Sequence, residues 1–160
     1  MEHRAPYGAG PPLATLRETD VVRESTRRSM KANKSKDTKP EVLLRKALYS
    51  AGLRGYRCHD KRYPGSPDIW VPRAKLAVFV HGCFWHGHGC KLSTTPTTNR
   101  AFWLEKVKRN QERHQRDLDL LQKNGATAVT VWECQLRASL ANVVGLIVTL
   151  AERETKPSKT

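Results

Sequence analysis

Acidic residues are scarce in this 160-residue chain, with fifteen Asp and Glu against twenty-nine Lys and Arg. The formal net charge is +14 and the isoelectric point is near 10.1, which disfavours basic partners and makes a polyanion the expected one. Long apolar runs are missing as well, so no membrane-spanning helix is expected. The first residues have no apolar stretch of the secretory-signal kind, and a cytosolic chain with reduced thiols is the expectation. Cysteine is limited to Cys58, Cys83, Cys90 and Cys134. In a reducing compartment these favour a metal site over disulfides. Aromatics make up only 7 % of the residues, and no internal repeat is visible.

Against these shortages, one segment is crowded. His81-Gly82-Cys83-Phe84-Trp85-His86-Gly87-His88-Gly89-Cys90 packs two thiols, three imidazoles and two large aromatics directly after the apolar run Leu76-Ala77-Val78-Phe79-Val80. That run reads as a buried strand, so the strand carries the cluster at its end. Cys83, His88 and Cys90 lie within eight residues, and Cys134 follows a second apolar run, Ala128-Val129-Thr130-Val131-Trp132. Three local ligands and one distant ligand make a closed tetrahedral set for zinc, which would hold the loop without catalysing. Cys58 has no place in this set and is expected to be a small buried hydrophobe.

With His88 assigned to the metal, His81 and His86 remain free at the same strand end. The nearest carboxylate in sequence is Asp68, in Pro67-Asp68-Ile69-Trp70-Val71, whose apolar residues suggest a strand hairpinned through Pro72-Arg73 onto the first. Antiparallel pairing would bring Asp68 near Val80 and His81. A carboxylate, a backbone carbonyl and neutral imidazoles suit hydrolysis assisted by Mg²⁺, with His taking a proton from water. The competing reading makes Asp68 a turn cap after Pro64-Gly65-Ser66-Pro67.

The basic residues are grouped. Arg23, Arg27, Arg28, Lys31, Lys34, Lys36 and Lys39 fall within seventeen residues whose acids are Glu24 and Asp37, and Lys106, Lys108, Arg109, Arg113 and Arg116 line one predicted helix. Such groups supply phosphate contacts without sequence information. The stretch at 23–39 has almost no apolar face, which argues against a membrane surface. Aromatic rings beside these cations can stack on bases or wedge between base steps. Core packing is expected for Phe79, Phe102, Trp70 and Trp132, and exposure for Phe84 and Trp85 in their Gly-rich loop.

Residues 1–24, rich in Pro and Gly, read as a disordered tail, residues 25–152 as one α/β domain, and residues 153–160 as a flexible end. Asp37 or Thr38 can cap a helix with Pro40 in its first turn and Gly52 at its end, which puts Glu41 in the first turn, free to point toward a neighbouring site. Strands are predicted near 55–59, 68–71, 75–80 and 127–132, with a helix over about 100–123 and a last one over roughly 136–152. The whole reads as a central mixed sheet flanked by helices. Leu104, Val107, Leu118 and Leu121 give the long helix a buried stripe, with Gln111 and His114 in its middle turns.

Arg28-Ser29-Met30, Pro64-Gly65-Ser66-Pro67-Asp68, Val80-His81-Gly82-Cys83-Phe84-Trp85-His86, Phe102-Trp103-Leu104-Glu105-Lys106 and Trp132-Glu133-Cys134 occur in this order. In this the chain resembles the very-short-patch-repair endonucleases, bacterial mismatch nickases with a restriction-endonuclease-like fold. The resemblance spans about Ser25 to Arg137. It implies a Mg²⁺-dependent nick 5′ to the thymine of a T:G mismatch left by deamination of 5-methylcytosine. It further implies Asp68 and the Val80 carbonyl as Mg²⁺ ligands and His86 as the group that activates water, with His81 and Glu41 in support. Cys83, His88, Cys90 and Cys134 correspond to structural zinc ligands. Phe84, Trp85 and Trp103 correspond to a major-groove wedge, with Phe102 packed inward so that Trp103 reaches DNA, Met30 to a minor-groove insertion, and Lys106 to a DNA contact. The implied setting is the bacterial cytoplasm at the nucleoid, with double-stranded DNA and mismatch-repair proteins as partners, and a monomer suffices for one nick.

Two departures limit the transfer: Val80 stands where the best-known member of the family has Thr, and His114 where that member has Asp. They leave open a non-catalytic zinc module that binds distorted DNA; a sequence-specific restriction-type nuclease on the same fold is a further alternative.

Overall fold

The computed structural model describes residues 36–153. Met30, most of the basic stretch at 23–39 and both predicted tails lie outside or almost outside that range. The elements run α1 (Lys39–Ser50), β1 (Ile69–Val71), a single 3-10 turn (Pro72–Ala74), β2 (Leu76–His81), α2 (Arg100–Lys123), β3 (Thr127–Trp132), α3 (Glu133–Ala138) and α4 (Leu140–Arg153). No helix among the described residues is long and apolar enough to cross a membrane.

The sheet has the order β1-β2-β3. β1 pairs antiparallel with β2, Ile69 opposite Val78, through the Pro72–Ala74 turn, while β2 and β3 run parallel from Leu76↔Thr127 to His81↔Trp132. The central strand is therefore mixed in its pairing and buried on both faces. Its two-residue period sends Leu76 and Val78 into one core with Leu44, Leu48 and Ile147 from α1 and α4, and Ala77 and Phe79 into another with Trp70 and Leu121. The same alternation turns His81 toward α2.

α1 begins as its residue types demand. Pro40 sits in its first turn and Thr38 at its N-cap, but the cap works in reverse: the Glu41 carboxylate accepts from the Thr38 hydroxyl at 2.7 Å and from the Asp37 N–H at 2.9 Å. Glu41 is buried by this arrangement.

Several expectations are corrected. The strand predicted at 55–59 shrinks to one bridge, Arg57↔Trp70, because His59 turns into the left-handed region at φ 50° and ends the pairing. The last helix is two helices. α3 starts at Glu133, where the Gln135 side chain accepts from the Trp132 N–H, and extended Ser139 separates it from α4. Cys58 is exposed rather than buried. Trp103 is buried at 8 % exposure while Phe102 stands at 53 %, the reverse of their expected orientation. Adjacent helical residues point about 100° apart, and the face of α2 that meets the loop runs 103, 107, 110, 114, 118, 121. For the same reason Leu104 lies exposed and outside the stripe.

Candidate active site and metal centre

Asp68 ends the approach to β1 and lies across from the end of β2. The Val80 N–H donates to its Oδ2 at 2.7 Å, the juxtaposition expected from the hairpin. Burial pushes the Asp68 carboxyl up to about 6, with the Val80 N–H opposing that shift and the nearby Glu41 charge adding to it.

His81 follows Val80 and is 7 % exposed. Its ring stacks on His86 with centroids 3.6 Å apart and meets His114 edge-on at 4.1 Å. Burial, followed by its two imidazole neighbours, holds His81 down to about 2. Burial likewise holds His86 down to about 4, with His114 and Arg113 contributing. His114, lowered mainly by burial, shares a hydrogen bond between its Nε2 and the Thr130 hydroxyl at 2.8 Å. The rings of His81, His86 and His114 therefore form a neutral cluster at pH 7.

The loop after β2 is clasped to α2. Asn110 Nδ2 donates to the Trp85 carbonyl at 2.9 Å, and Gln111 Nε2 donates to the His86 carbonyl at 2.7 Å. Gly87 makes the close approach possible: at φ 59°, a Cβ there would sit 2.6 Å from Val107 Cγ1. His114 thus faces the site from the middle of α2, whereas Gln111, expected in the same stripe, stays exposed and reaches only the His86 carbonyl.

Beyond the clasp lies an aromatic group. Phe84 meets Trp85 at 5.0 Å and Trp103 at 5.2 Å, and the Lys106 ammonium hangs 5.1 Å from the Trp85 ring and 5.5 Å from that of Trp103. Phe84 and Trp85 are half-buried, with Trp103 beneath them.

Cys83, His88, Cys90 and Cys134 converge at the ends of β2 and β3, with one donor atom from each within 4.8 Å of all the others. Cys134 Sγ lies 3.5 Å from His88 Nδ1, and the Cys134 N–H points at Cys83 Sγ at 3.4 Å. Burial pushes the Cys83 thiol up to about 12, whereas the hydrogen bond from His88 brings Cys90 down to about 7. This Cys₃His group could hold a metal ion. Trp132, expected in the core, instead lies half-buried and stacks on the His88 ring at 4.2 Å.

One residue at the site escaped sequence reasoning. His59 reaches between carboxylates, with Nδ1 3.5 Å from Asp68 Oδ1 and Nε2 3.4 Å from Glu41 Oε2. The His59 ring therefore lies between Glu41 and Asp68. No spacing announces His59; the Arg57↔Trp70 bridge that carries it to Asp68 is a tertiary contact.

The depressed imidazoles make acid sensitivity predictable. Below the ordinary value of 6.5 the unfolded chain takes up protons that folded His81 and His86 refuse, so their stabilisation is whole above pH 6.5 and drains as pH falls toward about 4. Asp68 works in the opposite sense, since its folded carboxyl protonates near 6 and its unfolded one near 3.8. Two imidazoles outweigh one carboxyl. The melting temperature is expected to fall between pH 6.5 and 4, less steeply in His86→Asn; equal slopes for the two proteins would contradict the depressed His86. Acid release of any metal held by the Cys₃His group would be common to both proteins, so the difference isolates that ring.

A buried carboxylate, neutral imidazoles and a basic, aromatic-studded flank are groups that phosphodiester hydrolases use. Known proteins narrow this class. The family model described as DNA mismatch endonuclease Vsr matches residues 19–92. DNA mismatch endonuclease Vsr of Escherichia coli (strain K12) is 43 % identical over 119 residues, covering 74 % of this chain and 76 % of that protein. The type II nicking enzyme V.NmeAIP of Neisseria meningitidis is 50 % identical over 103 residues, 64 % of this chain and 73 % of its own length. V.XorIIP, a type II nicking enzyme of Xanthomonas oryzae pv. oryzae, is 42 % identical over 113 residues, covering 71 % and 82 %. The chain belongs to the Vsr family of DNA mismatch endonucleases, and it is a DNA endonuclease acting on DNA.

Proposed function

We propose that the chain is a zinc-stabilised, Mg²⁺-dependent nickase, built on a restriction-endonuclease-like fold, that cuts 5′ to the thymine of a T:G mismatch. The observation that carries this reading is that the last residues of β2 hold both the N–H that binds Asp68 and the start of the stacked His81–His86 pair, beside the basic aromatic flank. The relatives, a mismatch endonuclease and nicking enzymes by name, support a single-strand break over a double one.

The residues fit both ions. A tetrahedral zinc with Zn–S of about 2.3 Å and Zn–N of about 2.1 Å separates its sulfur and nitrogen ligands by about 3.6 Å; Cys134 Sγ and His88 Nδ1 are 3.5 Å apart. Thiolates and an imidazole suit zinc, and four protein ligands leave it no position for water. At the other site, the Asp68 carboxylate, held by the Val80 N–H, offers the hard oxygen that Mg²⁺ prefers, and the Val80 carbonyl would be the second ligand. Burial raises the Asp68 carboxyl in spite of the Val80 N–H, and a cation would offset that remaining penalty. Bound there, Mg²⁺ would polarise the scissile phosphate and stabilise the charge of the transition state.

The protein's own groups do the rest. His86 is neutral at pH 7 and able to accept a proton from the attacking water. A phosphate beside it raises its basicity toward the working range. As the water oxygen bonds to phosphorus, one P–O ester bond breaks and the leaving oxygen takes up a proton. His81, stacked on His86, fixes the plane of that ring, and Gln111 holds its carbonyl. Phe84 and Trp85 act as the wedge, Trp103 is the floor they rest on, and Lys106 brings a cation to the same face.

The test is incubation with Mg²⁺ and end-labelled duplexes that differ only in T:G against C:G, in several flanking contexts. A single nick 5′ of the mismatched T is the expected result. Tight mismatch binding without a nick would make this a binding module, and cutting of both duplexes a restriction-type nuclease.

A further inference from the structure

We propose that His59 is a positioning residue for the active-site carboxylate, its ring bridging Asp68 to Glu41. The proposal rests on the reading of Asp68 as the cation-binding group.

The two oxygens of Asp68 are divided between two elements: Oδ2 receives the Val80 N–H at 2.7 Å, and Oδ1 faces His59 Nδ1 at 3.5 Å. The far side of the same ring points Nε2 at Glu41 Oε2, 3.4 Å away, and at Asp37 Oδ1, 3.6 Å away. Glu41 cannot drift, because both its oxygens are held by the start of α1. The ring thus stands within ion-pair distance of both Asp68 and a fixed carboxylate on another element, its buried Nε2 making no hydrogen bond.

Its own placement is equally determined. Arg57 and Trp70 exchange two backbone hydrogen bonds of 2.8 Å each, which fixes the segment two residues before His59 against the strand that begins just after Asp68. His59 then adopts φ 50°, a left-handed conformation uncommon outside glycine and concentrated at functional sites. The side chain is 13 % exposed, and Nε2 is sealed from solvent. A loop histidine with a merely solvated role would need none of this. Groups that orient a metal-binding ligand from behind change metal affinity or activity by about 10–100-fold when removed.

Two variants of the full chain test this. His59→Phe keeps a ring and removes both nitrogens; His59→Gln returns one donor. For His59→Phe, kcat of nicking is expected to fall by about 10–100-fold, with KM for the mismatched duplex nearly unchanged. Mn²⁺ binding without DNA, followed by electron paramagnetic resonance, should weaken. Amide exchange at Val80 should quicken in protein without added Mg²⁺ or Mn²⁺, a readout independent of catalysis. His59→Gln should recover part of each loss. Wild-type kcat, Mn²⁺ affinity and Val80 exchange in folded His59→Phe would overturn the proposal. Should that variant fail to fold, the ring ¹⁵N shifts of His59 decide, compared between wild type and Asp68→Asn: a change is expected, and identical shifts would overturn it. If Asp68→Asn itself still nicks, the underlying reading of Asp68 fails instead.

Discussion

Replacing Asp68 with Asn is expected to abolish nicking while leaving affinity for a mismatched duplex within about twofold. On the proposed reading Asp68 supplies the Mg²⁺-binding carboxylate, and a metal-stabilised transition state is worth several kcal/mol, so the loss in kcat should reach about 10³-fold or more. Asn is the informative substitution. Its amide oxygen can still accept from the Val80 N–H, which Ala would leave without that partner at about 1–3 kcal/mol. Stability should therefore change little while chemistry disappears, and binding should persist because the basic aromatic flank is separate from Asp68. Nicking rates, fluorescence anisotropy on the T:G duplex and thermal melting measure the three quantities. Persistent nicking by a preparation free of wild type would remove Asp68 from the mechanism.

Cys134→Ser is expected to empty the Cys₃His centre and loosen the site from behind. Cys134 lies in the first turn of α3 and meets His88 and Cys83 of the loop, so the ion would join the ends of β2 and β3 and hold the loop that carries His86. Binding energy of a structural zinc is largely folding energy, and loss of one ligand should cost several kcal/mol, about 10 °C or more in melting temperature. Metal analysis should give one zinc per wild-type chain and nearly none in the variant. Cys58→Ser is the matched control: that thiol is exposed and outside the cluster, and neither zinc content nor melting should move. Full zinc content in Cys134→Ser would refute the four-ligand set. Because His86 sits on the same loop, the variant should also nick poorly when folded below its melting point.

The hairpin of β1 and β2 was legible in the chain because its cues are local. An apolar run on each side of Pro72-Arg73 leaves few registers, and the one adopted brings Asp68 to Val80. The long helix emerged nearly to the residue, since Arg100–Lys123 carries the 3.6-residue period over many turns. The failures have equally concrete causes. Phe102 and Trp103 are both large and aromatic, and only the loop packed against α2 selects which one turns inward. The segment at 55–59 has strand-like residues but finds a partner only at Trp70, and His59 turns away in a conformation that nothing in its neighbours prescribes.

By itself, then, the sequence determined the chemistry available: a polycation with four thiols in which His, Cys and aromatic side chains are concentrated after one apolar strand. Those properties follow from residue type and short-range order, which the chain carries whether folded or not. The tertiary structure decided which of these groups meet. It brought Cys134 to Cys83, set Asn110 and Gln111 against the Trp85 and His86 carbonyls, and carried His59 between Asp68 and Glu41. Such contacts join residues far apart in the chain. Their geometry is set by packing across the sheet, to which local propensity is blind.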